Sequence, residues 1–100
     1  MASELRWFTS GSGRIEFQLT LDQAEAMSHS GRCDDDVAEG RKVPEIAAQL
    51  AKIDPAVLRS ELREYGAWDD LELSDHESNL DRILWLAAGD IRDRQFEDWD

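Results

Sequence analysis

The sequence predicts a mainly α protein, an orthogonal bundle of four to five helices preceded by a short N-terminal extended or hairpin segment, as a single domain over residues 1–100. Three observations point there. From residue 20 onward apolar side chains recur at helical spacing, capping residues, prolines and glycines punctuate that region, and strict two-residue alternation is confined to the N-terminal part. With 41% hydrophobic residues, four Trp and three Phe, a chain of this length builds one core and has no room for a second.

In chain order, Leu5 to Phe8 and Arg14 to Leu19 read as two extended segments about the flexible turn Ser10-Gly11-Ser12-Gly13. Ile15, Phe17 and Leu19 alternate with Arg14, Glu16 and Gln18, the period of a half-buried strand, and such a hairpin must pack on the helices to be stable. Thr20 and Gln23 form a T-x-x-Q capping box for a helix over about Leu21 to Ser28. Asp34 is a candidate cap for a second short helix, which Gly40 would end.

Pro44 suits the first turn of a third helix with Ile46, Leu50 and Ile53 on one face, and Asp54-Pro55 caps and starts a fourth with Leu58, Leu62 and Tyr65, stopped by Gly66. Ser74 and Glu77 suggest an S-x-x-E box for the last helix, whose stripe is Leu80, Ile83, Leu84, Ala87 and Ile91. Within it Ile83 to Ala88 is apolar on every face, which places this helix at the centre. Gly89 and Asp90 would weaken its end, leaving Arg92 to Asp100, with Phe96 and Trp99, to fray or fold back.

Charge narrows the function. Against 23 Asp and Glu stand 11 Lys and Arg, a net charge of -12, which disfavours direct contact with nucleic acid or an anionic membrane surface and favours a basic partner. Residues 1–33 hold four acidic and three basic side chains and residues 34–100 hold nineteen and eight, so the excess lies in the helical part. Its densest block is Asp69, Asp70, Glu72, Asp75, Glu77 and Asp81, with no Lys or Arg between the first and last. With Glu61 and Glu64 upstream these carboxylates would make a negative ridge able to occupy a basic nucleic-acid-binding groove, with Trp68 as an exposed anchor beside it. The competing explanation is local: acids favour helix N-termini, and an acidic surface serves solubility.

No catalytic or metal constellation emerges. His29 and Cys33 lie four apart beside Asp34, Asp35 and Asp36, but the only other histidine is His76 and there is no second cysteine, so a structural zinc site lacks ligands. The carboxylates after Cys33 would raise its pKa, the wrong direction for a nucleophile. Ser10 to Arg14 has the composition of a phosphate-cradling loop without its Lys-Ser/Thr end or following helix. The expectation is a non-enzymatic protein without cofactor or metal. The lone cysteine fits a reducing compartment, and the lack of a long apolar run or a signal-peptide core fits the cytoplasm.

Two resemblances accompany these residues. The segments Ser28 to Asp34, Glu61 to Asp70 (Glu-Leu-Arg-Glu-Tyr-Gly-Ala-Trp-Asp-Asp) and Asn79 to Ile91 are similar to a small proteobacterial family of unassigned role. In size, acidity and general character the whole chain resembles the small phage-encoded anti-CRISPR proteins that block type I (I-F or I-E) surveillance complexes. The second resemblance implies an inhibitor in the bacterial host cytoplasm that binds protein subunits of an RNA-guided effector at basic nucleic-acid-binding surfaces and stops target DNA recognition. A different class, a helical protein-protein adaptor or regulator, is the alternative.

Overall fold

In the computed structural model, which describes residues 4–28, 34–66 and 68–97, a two-stranded antiparallel hairpin is followed by five α-helices. The strands are β1 (Leu5–Thr9) and β2 (Glu16–Thr20), with Trp7 opposite Gln18 and Phe8 opposite Phe17. The helices are α1 (Leu21–Ser28), α2 (Asp34–Arg41), α3 (Pro44–Leu50), α4 (Pro55–Glu64) and α5 (His76–Glu97), with a 3-10 turn at Glu72–Ser74 before the last.

The alternation in the hairpin does what the sequence predicts. Phe8, Ile15, Phe17 and Leu19 turn inward and are buried, while Leu5 and Trp7 face solvent, more than half exposed. The Phe8 and Phe17 rings lie 5.4 Å apart in a tilted arrangement, a cross-strand pair on the core side. Gly13 supplies the positive φ of 80° that closes the turn. The open edge of β2 is clamped from α3, where the Gln49 side-chain amide accepts from the Gln18 N–H at 2.7 Å and donates to the Gln18 carbonyl at 2.9 Å. One side chain thus does the work of a missing neighbouring strand.

Helix starts follow their caps. Thr20 and Gln23 make the reciprocal box, with Gln23 N–H donating to Thr20 Oγ1 at 3.0 Å and Thr20 N–H to Gln23 Oε1 at 2.9 Å. Asp54 accepts from the Ala56 N–H at 2.8 Å, and Pro55 occupies the first position of α4. Gly66, at φ 71°, ends it.

Four local expectations are corrected. The cap of α5 is Asp75, which accepts from the Glu77 N–H and the Ser78 hydroxyl, whereas Ser74 belongs to the 3-10 turn and donates to the Leu71 carbonyl. Asp34, expected as a cap, is the first residue of α2. Gly40 does not end α2, which runs on to Arg41; a Cβ there would stand 2.3 Å from Met27 Sδ, so glycine permits the close approach of α1. Gly89 and Asp90 do not interrupt α5, because Ala87, Ala88 and Ile91 hold that stretch against the core. His29, Cys33 and Trp99 lie outside the described residues.

α5 is the centre of the fold. It packs most extensively on α1 and also on α4, α2 and β1, burying Ile83, Leu84, Ala87, Ala88 and Ile91. The coverage is not complete, since Trp85 remains 39% exposed. Leu58 and Leu62 of α4, Ile46 and Leu50 of α3, and Val37 of α2 complete one continuous core. No helix among the described residues is long and apolar enough to cross a membrane.

Replacing Gln49 by Ala uncovers the β2 edge. The expected result is a loss of about 1–2 kcal/mol in urea denaturation, with faster amide exchange at Gln18.

Candidate functional site

The acidic block lies mainly on the connection between α4 and α5 and on the first turns of α5, and folding alters it in two ways. It removes one carboxylate from the surface, and it brings arginines from other elements to most of the rest.

The carboxylate removed is Glu61. Its side chain is 0% exposed and turned toward the hairpin, where Oε1 accepts from the Ser12 hydroxyl, from Arg14 Nε at 2.9 Å and from Arg14 Nη2 at 2.8 Å. Arg14 also donates to Ser60 Oγ at 3.1 Å, so the turn between β1 and β2 is fastened to α4 by a charged clasp. Burial pushes the Glu61 carboxyl up, but hydrogen bonds from Ser12, Ser10 and Arg14 outweigh it and hold the group below the usual carboxylate range. Glu61 is therefore a structural anchor and not part of an exposed ridge. Sequence inspection separates Glu61 from Ser12 and Arg14 by more than forty positions and offers no sign of their meeting.

The other candidates each have a place. Glu64, on the exposed side of α4, is 3.9 Å from Arg14. Asp69 accepts from the Glu72 N–H at 2.8 Å and its own N–H reaches Glu72 Oε2 at 3.3 Å, a capping box for the 3-10 turn. Asp70 pairs with Arg63 Nε at 2.7 Å. Asp75 caps α5, and the Ser78 hydroxyl and the Glu77 and Ser78 amides draw its carboxyl below the ordinary range against a smaller opposing effect of desolvation. Glu77 and Asp81 share Arg41 of α2, at 3.0 and 2.6 Å.

Trp68 is not the exposed anchor expected. It is half-buried against the core, with the Arg82 guanidinium 5.8 Å from its ring centroid, while Arg82 also donates to the Glu72 carbonyl and to Asn79. The exposed apolar side chain of this region is Leu71, at 82%, flanked in sequence by Asp69, Asp70 and Glu72. Leu71 and Leu73 are two apart on the connection, and only Leu73 reaches the core. The resulting tip, an aliphatic side chain framed by carboxylates, sits on backbone fixed by the Asp69–Glu72 box, by Arg59 Nη2 donating to the Asp70 carbonyl, and by the Arg63–Asp70 pair. Sequence reasoning passed over Leu71 because it lies within a connection marked by its carboxylates, where Trp68 is the more conspicuous apolar anchor.

Chemically, such a tip offers an apolar contact with a negative rim, the layout of a small binding surface. Among the described residues no group of three or more His, Cys, Asp or Glu is arranged to hold a metal ion.

Glu61→Gln should cost about 1–3 kcal/mol at neutral pH, because Arg14 and Ser12 lose their anionic acceptor. A depressed folded-state carboxyl adds stability above its unfolded-state pKa and loses it as pH falls through the folded value. The difference between the native chain and the variant should therefore be constant at neutral pH and shrink below about pH 4.3 in denaturation curves.

Comparison with known proteins gives no match, whether to a family model, a curated protein or a solved structure.

Proposed function

We propose that this chain is a non-enzymatic inhibitor that acts by occupying a basic, nucleic-acid-binding surface on another protein, with the tip formed by Asp69, Asp70, Leu71 and Glu72 as its leading contact. The observation that carries the reading is Leu71, held in the open on a capped and arginine-braced connection and framed by carboxylates. Leaving a large aliphatic side chain 82% exposed has no benefit for the isolated fold, whereas in a complex it would supply an apolar centre and the carboxylates a steering rim. The overall charge of -12 would speed encounter with a cationic groove and repel nucleic acid itself.

The resemblance to anti-CRISPR proteins supplies the partner class. Type I surveillance complexes hold DNA through Lys and Arg lining a positive channel, and in the cytoplasm of the bacterial host an acidic wedge in that channel would stop target recognition.

A second reading, an adaptor that docks on a protein through apolar contacts, draws on the fact that Asp70, Asp75, Glu77 and Asp81 already have intramolecular partners. Salt separates the two. A charge-steered complex weakens steeply as ionic strength rises, and an apolar one hardly responds.

Expression in a bacterium carrying a type I CRISPR system, with affinity capture of the chain, should recover effector subunits and suppress phage targeting. Leu71→Asp should weaken capture about tenfold or more, and the double variant D69K/E72K should weaken it further at low salt than at high salt. Absence of effector subunits together with intact phage targeting would rule the inhibitor reading out.

A further inference from the structure

A cleft of about 400 Å³ opens between α4 and the start of α5, beneath the 3-10 turn. Its polar side chains include Arg59 and Arg63 from α4, His76 at the start of α5, and the hydroxyl residues Ser60 and Ser74. None of the nine residues lining it is Asp or Glu, in a chain where acids outnumber bases two to one. Composition alone would make this wall acidic.

Two details mark it as more than a basic spot. Arg59 makes no ion pair among the described residues; its Nη2 donates to a neutral acceptor, the Asp70 carbonyl, at 3.3 Å, and its Nε is buried without a hydrogen-bond partner. With that N–H unpartnered and no carboxylate beside it, Arg59 is a cation whose charge is not matched within the chain's described residues. Arg63 is engaged on one edge only, by Asp70 through Nε. The Ser74 hydroxyl already donates to the Leu71 carbonyl, so the cleft offers the two guanidinium groups, the His76 imidazole and the Ser60 hydroxyl as donors, with no carboxylate in its lining.

We propose that this cleft is a binding site for the phosphate group of a small phosphorylated ligand. Two guanidinium groups recognise phosphate and carboxylate alike, but the further imidazole and hydroxyl donors exceed what two carboxylate oxygens can use and suit the three terminal oxygens of a phosphate ester. The volume falls within the range of small-molecule sites and leaves room beyond the phosphate for a body such as a sugar. Leu71 does not line the cleft, but the two surfaces share their supports, since Arg59 and Arg63 also hold Asp70 next to it.

The test is a titration of the full ¹⁵N-labelled chain with inorganic phosphate, ribose 5-phosphate and succinate at constant ionic strength. Saturable amide shifts centred on Arg59, Ser60, Ser74 and His76 are expected, with both phosphate compounds binding about tenfold or more tightly than succinate. Arg59→Gln should weaken phosphate binding about tenfold or more, and Lys52→Gln, away from the cleft, should leave it unchanged. His76→Gln provides a second variant at an exposed position, so that a folding defect in the first does not decide the result; it should weaken binding about threefold. Shifts that never saturate, succinate binding as tightly as phosphate, or affinity untouched by His76→Gln would overturn the proposal.

Discussion

The fold depends on one constraint, that the middle of α5 has almost no polar side to offer solvent. Ile83, Leu84, Ala87, Ala88 and Ile91 are all buried, and no single neighbour can cover them. α1, α2, α4 and β1 therefore surround the helix, and small residues set how closely they approach: Ala24 of α1 and Ala87 and Ala88 of α5 are fully buried. A hairpin of two five-residue strands is marginal in water, but this one gains stability by supplying Phe8, Ile15, Phe17 and Leu19 to the same core. Its free ends are then secured separately, by Gln49 at the β2 edge and by the Glu61–Arg14 clasp at the turn.

Charge is organised around that core. A chain with more than twice as many acids as bases would repel itself if its carboxylates faced one another, and the structure instead gives each described arginine a carboxylate or carbonyl. The pairs join distant elements: Arg14 to Glu61, Arg41 to Glu77 and Asp81, Arg63 to Asp70. Exposed ion pairs contribute little individually, so the effect is to direct the carboxylates more than to add stability. What remains for a partner is a narrower negative surface than the sequence block implies, with an apolar side chain at its middle. The cleft under the 3-10 turn is the complement of this arrangement, a place where Arg63 pairs with the Asp70 carboxylate while Arg59 meets only the Asp70 backbone carbonyl.

Much of the fold was legible because it follows local rules. The Thr20–Gln23 box, the Asp54-Pro55 start, the Gly66 stop and the alternation of Ile15, Phe17 and Leu19 need only nearest neighbours in sequence, and each is found where expected. Where tertiary packing competes with local preference, the sequence misleads. Gly40 reads as a helix end and Gly89 as a weak point near the end of the last helix, but one is the contact point for Met27 and the other sits in a helix held by its neighbours. The candidate surface was legible only in outline. A run of carboxylates is visible in sequence, but which one is buried depends on Ser12 and Arg14 arriving from the hairpin, and which apolar residue is exposed depends on the path of the connection between α4 and α5. Trp68, expected in the open, packs against the core, and Leu71, for which the sequence suggests no role, is exposed instead.

We propose the connection between α4 and α5 as the surface this protein presents to a partner. Hydrogen exchange on the captured complex, compared with the free chain, measures it directly. Added protection concentrated in residues 69–75, with β1 and β2 unchanged, is the expected result. Protection gained over Leu5–Thr9 while residues 69–75 exchange as before would contradict it and move the interface to the exposed face of the hairpin, where Leu5 and Trp7 stand.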